Sequence, residues 1–188
     1  GVPIAQVEKN FYLYNPHIQT NQAGAASIKA SEFAGMSAEE LGDEFAKARY
    51  FATDREEKTF NEITSAEGRS EFLAKFWTEV EAGRLGKPPI PRMAYLQRVL
   101  AAERYRAMNR QGWKTDRGRI LVVYGEPDEI ERFPASGSSK PYEVWHYYSI
   151  ENGVEFDFVD RSGFGEYQLV NSTKRGELRD DDWQRFLQ

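Results

Sequence analysis

The hydrophobic pattern of this chain changes period once, at Gly112, and that change restricts the fold more than any other feature. Upstream, apolar residues recur every three to four positions, as on one face of a helix. Downstream, short β-branched or alternating runs are separated by turn residues, as in half-buried strands. Helices first and strands afterwards specify an α+β fold rather than an alternating α/β fold with a parallel sheet. The expected architecture is N-terminal helices packed on a C-terminal antiparallel β-meander. Residues 1–36 read as an irregular N-terminal segment, 37–111 as a helical region and 112–188 as an antiparallel sheet region, with 37–188 forming one domain.

Local signals place the elements. Ser37 with Glu40, and Thr53 with Glu56, have the spacing of capping boxes, in which hydroxyl and carboxylate each satisfy a backbone N–H of the first turn. Leu41, Phe45, Ala48 and Phe51 follow the first box, and Phe60 and Ile63 the second. Ser65 is placed to cap a third helix, with Phe72, Phe76 and Val80 inward and Gly83 and Gly86 at its end. Pro88 to Pro91 reads as a stiff linker, and the fourth helix should bury Met93, Leu96, Val99 and Leu100. The pattern predicts helices over 38–51, 66–82 and 92–109, and a short one after Thr53. Strands are expected over 119–124, 142–149, 154–160 and 165–171, with a further candidate at Glu129 to Phe133. Asn152-Gly153 is a hairpin turn signal, because both residues tolerate positive φ. A short terminal helix is expected from Asp180 to Leu187, its aspartates suiting the positive end of a helix dipole. In the first segment, Phe11 to Tyr14 reads as a strand closed by Asn15-Pro16.

Composition bounds the chemistry. With 188 residues, 40% hydrophobic and 29% charged, the chain can bury a core in water, and its 14% aromatic content supplies large buried areas without cross-links. The absence of cysteine removes disulfides, thiolate metal sites and thiol nucleophiles. A net charge of -5 opposes nucleic acid as a partner. No apolar run is long enough to span a bilayer.

The segment Gly112-Trp113-Lys114-Thr115-Asp116 is followed by Arg117-Gly118-Arg119-Ile120. Then come Tyr124-Gly125-Glu126-Pro127-Asp128, Tyr142-Glu143-Val144-Trp145 and Val154 to Asp160. These ordered blocks, with Phe76-Trp77 upstream, resemble the GWxTD domain family over roughly residues 50–170. The resemblance implies a bacterial protein, exported to the periplasm or another extracytoplasmic compartment. It brings no established activity. The Arg-Asp-Pro run that often follows the Phe-Trp pair in the family is replaced here by Thr78-Glu79-Val80, so any role of that run does not transfer.

The candidate residues admit both a structural and a chemical reading. Gly112 can end the fourth helix in a left-handed conformation, Trp113 can wedge beneath the sheet, and Thr115 and Asp116 can bond local backbone on the way to Arg117 and Gly118. The rival reading makes Trp113 and Asp116 the floor and handle of a ligand pocket. Tyr142, Trp145, His146 and Tyr147 form a possible aromatic binding strand. His17 and His146 lie too far apart in sequence to suggest a zinc site, and no metal or other cofactor is expected. Asp157 and Asp160 are the carboxylates a hydrolase would use, although their spacing sends them to opposite faces of a regular strand. The arginines from Arg92 to Arg119 read as partners for the acidic sheet rather than for phosphates. The expected function is a non-enzymatic protein-binding or scaffold module whose partner is another envelope protein. The alternative is a hydrolase or carbohydrate-binding protein built on the aromatic strand and its carboxylates.

Overall fold

Both capping boxes form. In the computed structural model, which describes residues 32–84, 89–137 and 139–188, the Ser37 hydroxyl accepts from the Glu40 N–H and Glu40 accepts from the Ser37 N–H. Helix α1 (Ala38–Ala48) starts there and runs into a 3-10 turn, Arg49–Phe51. Thr53 and Glu56 open α2 (Asp54–Glu62) in the same way. Ser65 caps α3 (Ala66–Ala82), which stops at Gly83 with φ 85°. Helix α4 spans Arg92–Ala102, and α5 spans Asp116–Tyr124. The expected strand at Phe11 to Tyr14, His17, Gly86 and the start of the proline linker lie outside the described residues.

Four strands follow: β1 (Glu129–Phe133), β2 (Tyr142–Tyr147), β3 (Val154–Val159) and β4 (Gln168–Ser172). They pair antiparallel in chain order, so the fold is α+β with a C-terminal meander. The β2–β3 turn uses Asn152 and Gly153 at φ 66° and 108°, with the Gly153 N–H donating to the Ile150 carbonyl. A bulge between Asp157 and Phe158 shifts the register against β4.

The aromatic side chains build the core. Phe45 stacks on Phe60 at 4.1 Å and meets Phe72 and Phe76 edge-on, joining α1, α2 and α3. Trp77 packs on Tyr95 at 5.3 Å, and the Tyr95 hydroxyl donates to the Lys47 carbonyl. On the sheet, Trp145 meets Phe158 at 4.9 Å and Tyr147 meets Phe156 at 5.5 Å.

Residues 119–124 are not a strand. They belong to α5, whose Ile120, Leu121, Val122 and Val123 are all buried, against α4 on one side and β4 on another. A helix covered on every side needs no polar face, so its apolar run carries neither period, and its β-branched residues mimic a buried strand. The end signals decide it: Thr115 caps the helix and Gly125, at φ 90°, stops it. Glu129 to Phe133 supplies the first strand instead.

Three smaller expectations also change. Helix α4 ends at Ala102, not 109, and passes into a 3-10 turn, Glu103–Tyr105. Its buried side is Tyr95 and Val99, leaving Met93 and Leu100 exposed. The C-terminal helix is only a 3-10 turn, Trp183–Leu187. Asp180 does not cap a helix dipole there. Its carboxylate takes the Arg185 guanidinium, and its N–H donates to Asn171 Oδ1, holding this tail against the outer face of the sheet. Glu177 fixes the preceding loop to α5 by a two-pronged pair with Arg119 at 2.9 and 2.7 Å and by accepting from the Tyr124 hydroxyl.

Candidate functional site

Close backbone approach explains most of the Gly112 to Gly118 segment. Gly112 does not adopt a left-handed conformation. It opens a 3-10 turn, Gly112–Lys114, pressed so tightly on the end of α4 that a Cβ would sit 2.1 Å from the Ala102 oxygen. A Cβ on Gly118 would sit 1.8 Å from the Gly112 oxygen. Thr115 joins the two turns: its hydroxyl donates to the Gly112 carbonyl at 2.7 Å and accepts from the Gly118 N–H at 3.2 Å. Trp113 is buried among the helices rather than beneath the sheet. Tyr50 lies edge-on to its ring at 6.2 Å and donates to its carbonyl at 2.9 Å. Asp116 accepts from the Leu169 N–H at 2.8 Å, which ties α5 to β4. Gly112, Trp113, Thr115, Asp116 and Gly118 therefore hold a buried helix in place, and Trp113 and Asp116 each engage groups within the fold.

Arg117 points elsewhere. Its guanidinium lies between the rings of Tyr105 and Tyr167, at 4.8 and 4.0 Å. It donates to Glu143 Oε1 at 3.3 Å and to the Gly165 carbonyl at 3.1 Å. Glu143 is 6% exposed and also accepts from the Trp145 indole at 2.9 Å. Arg132, directly opposite Glu143 in the β1–β2 register, brings its Nε to 3.5 Å of the same carboxylate. Arg104 and Tyr105, from the turn after α4, and Ile130 complete a cleft of about 500 Å³. The cleft is open to solvent and carries three guanidiniums against one carboxylate. Burial pushes the Tyr105 hydroxyl above its ordinary range, and the neighbouring Arg104 opposes that shift. Sequence reading did not find this cleft. Arg104 stood out only as a member of a basic group, Glu143 as a member of an acidic group and of a block resembling the family, Ile130 only as a member of such a block, and Tyr105 and Arg132 carried no signal of their own.

The aromatic strand does not act as one surface. Successive β2 side chains point to opposite faces, which sends Trp145 and Tyr147 into the core, 0% and 2% exposed. Tyr147 donates to the Gly125 carbonyl. Tyr142 and His146 face the other way. Tyr142 stacks on Phe133 at 4.3 Å and meets Trp183 edge-on. His146 Nε2 lies 2.8 Å from Glu131 Oε1 and its Nδ1 3.5 Å from Glu155 Oε1.

The two candidate catalytic carboxylates are engaged separately. Asp157 accepts from the Asn171 amide at 2.7 Å, and burial, reinforced by the Glu155 charge, pushes its carboxyl up to about 6. Asp160 folds the β3–β4 loop, accepting from the Gly163 and Gly165 N–H groups and the Ser162 hydroxyl. Among the described residues, no three histidines and carboxylates are placed to hold a metal ion, and no helix is long and apolar enough to cross a membrane. The basic helix pairs only partly with the sheet. Arg117 reaches Glu143 on β2, whereas Arg110 pairs with Glu166, Arg92 with Glu44 and Arg104 with Glu126, all three outside the strands.

A family model for the GWxTD domain matches residues 11–184. No curated protein and no solved structure matches the chain.

Proposed function

The chain belongs to the GWxTD domain family, and from that premise we propose that it is a non-enzymatic protein-binding module working in the bacterial envelope, outside the cytoplasm. One contrast carries the reading. The groups able to do acid–base chemistry, Asp157, Asp160 and His146, are each committed to partners within the fold. The arginine cleft, by contrast, opens to solvent beside β1, an edge strand that pairs with no further strand among the described residues. Catalysis needs an acid and a base converging on one reacting atom. Recognition needs only an accessible surface with unspent charge and hydrogen-bonding capacity. The extracytoplasmic location is the expectation that the family resemblance brings, and a cysteine-free chain is compatible with it.

Site-specific photocrosslinking tests this reading. A benzophenone amino acid is placed at Glu131, exposed on the edge strand beside the cleft, or at Lys58, exposed on α2, in living bacteria carrying the protein. A discrete protein adduct is expected from Glu131 and not from Lys58, in the periplasmic or membrane fraction. The reading fails if Glu131 gives no adduct. It also fails if the purified chain turns over nitrophenyl glycosides or esters in a way that Asp157→Asn abolishes.

A further inference from the structure

An edge strand next to a cationic cleft limits what can dock there. Strand β1 has β2 on one side only, so alternate residues from Glu129 to Phe133 turn backbone N–H and C=O groups outward. Its side chains divide by face. Ile130 and Arg132 lie opposite Trp145 and Glu143, on the face that lines the cleft, while Glu129, Glu131 and Phe133 lie on the other. A peptide strand laid along this edge would place every second side chain in the row of Ile130 and Arg132, directly in front of Arg104 and Tyr105.

Charge fixes the chemistry of that row. Glu143 already serves Arg117 and Arg132, and its remaining capacity goes to the Trp145 indole. Arg104 pairs with Glu126 at the surface, their side chains 45% and 59% exposed, and its guanidinium also lies over the Tyr105 ring at 4.9 Å. Such a pair contributes little and gives way readily to a better carboxylate. A guanidinium offers five N–H donors in a planar fork suited to a carboxylate, and the Arg104 and Arg132 side chains are 45% and 65% exposed.

We infer that the outer edge of β1 accepts an extended acidic segment of a partner protein as an added strand, with alternate carboxylates entering the Arg104–Arg117–Arg132 cleft. The inference rests on the protein-binding reading above and names the chemistry of the partner. Carboxylates in this row meet guanidiniums, whereas acidic residues in the opposite row would meet Glu129 and Glu131. The bound segment is therefore acidic at alternate positions rather than throughout.

The test pans phage-displayed short linear peptides on the intact chain and, in parallel, on an Arg104→Glu, Arg132→Glu variant. Both substituted residues are largely exposed, and the circular dichroism melt confirms that the variant folds; Arg104→Gln serves as a milder second variant. Clones with Asp or Glu at alternate positions are expected on the parent chain and not on the charge-reversed one. An enriched peptide, labelled and followed by fluorescence anisotropy, should lose about tenfold or more in affinity when alternate backbone nitrogens are methylated, because the ladder hydrogen bonds are gone. The inference is overturned by enrichment of basic or apolar peptides, by no enrichment, by indifference to N-methylation, or by a single-stranded oligonucleotide that competes as well as the peptide. If any of these occurs while the Glu131 adduct still forms in cells, the acidic-strand inference falls and the protein-binding reading stands. If the adduct is absent as well, both fall.

Discussion

Replacing Gly118 by alanine puts a methyl group where backbone already stands. Gly118 lies in the first turn of α5, and in an ordinary helix Gly→Ala stabilises by about 1 kcal/mol. Here the added Cβ would be 1.8 Å from the Gly112 oxygen, 2.7 Å from the Gly112 carbonyl carbon and 2.9 Å from the Trp113 Cα. To reach an ordinary contact of 3.4 Å, the Gly112 carbonyl must retreat by about 1.6 Å, the difference between 3.4 and 1.8. It has nowhere to go, because Gly112 is itself packed on the Ala102 and Glu103 backbone. Overpacking of this kind costs up to about 3 kcal/mol, and the displaced turn also loses the Thr115 cap, about 1 kcal/mol more. After the propensity gain, Gly118→Ala should destabilise by about 3 kcal/mol and lower the melting temperature by roughly 6–12 °C. Gly42→Ala is the matched control. Gly42 lies within α1, and its Cβ would meet nothing closer than the Arg69 Nη1 atom at 3.4 Å, so the same change should stabilise by about 0.5–1 kcal/mol. Urea unfolding followed by tryptophan fluorescence measures both. A Gly118→Ala variant as stable as the parent, or more so, refutes the close-approach account of the Gly112 to Gly118 segment.

Four further outcomes are expected. Trp113→Ala, which empties a buried site edged by Tyr50, should cost about 3–5 kcal/mol in the same unfolding assay. Arg117→Met takes the nearer guanidinium from the buried Glu143 carboxylate, leaving it the exposed Arg132 and the Trp145 indole, and should cost about 3 kcal/mol; adding Glu143→Gln should restore more than half of that in a double-mutant cycle. Asp157 has a folded pKa of about 6, raised from an unfolded value of about 4, so the native state binds the proton more tightly. Its contribution is most favourable below about pH 4 and declines as pH rises to about 6. The stability difference between Asp157→Asn and the parent should therefore move in the variant's favour across that window and stay flat above it, as read by urea unfolding at a series of pH values. Calorimetric titration with zinc, magnesium and calcium should give no saturable binding in the micromolar range; stoichiometric binding abolished by Asp157→Asn or His146→Ala would bring the enzyme reading forward.

What the sequence determined by itself is whatever a few neighbouring residues can enforce. Ser37 with Glu40, and Thr53 with Glu56, start helices because the hydroxyl and carboxylate reach N–H groups only three residues away. Asn152-Gly153 turns the chain because those two residues enter positive φ at low cost. Val154, Phe156 and Phe158 share the core face because a strand alternates. Helical signals followed by strand signals were enough for the α+β class, although the change comes after Gly125 and not at Gly112. Tertiary structure decided the rest. The helical period of residues 116–124 is hidden because α4 and the sheet bury four consecutive apolar residues, a condition that no local pattern reports; only the Thr115 cap and the Gly125 stop were local. The same limit hid the cleft. Arg117 meets Tyr105, Glu143 and Tyr167 only after α5 has docked on the sheet, and Arg132 meets Glu143 only through the register of β1 against β2. A contact between distant residues depends on how the intervening chain closes, and closure follows from the packing of the whole core rather than from the residues that happen to meet.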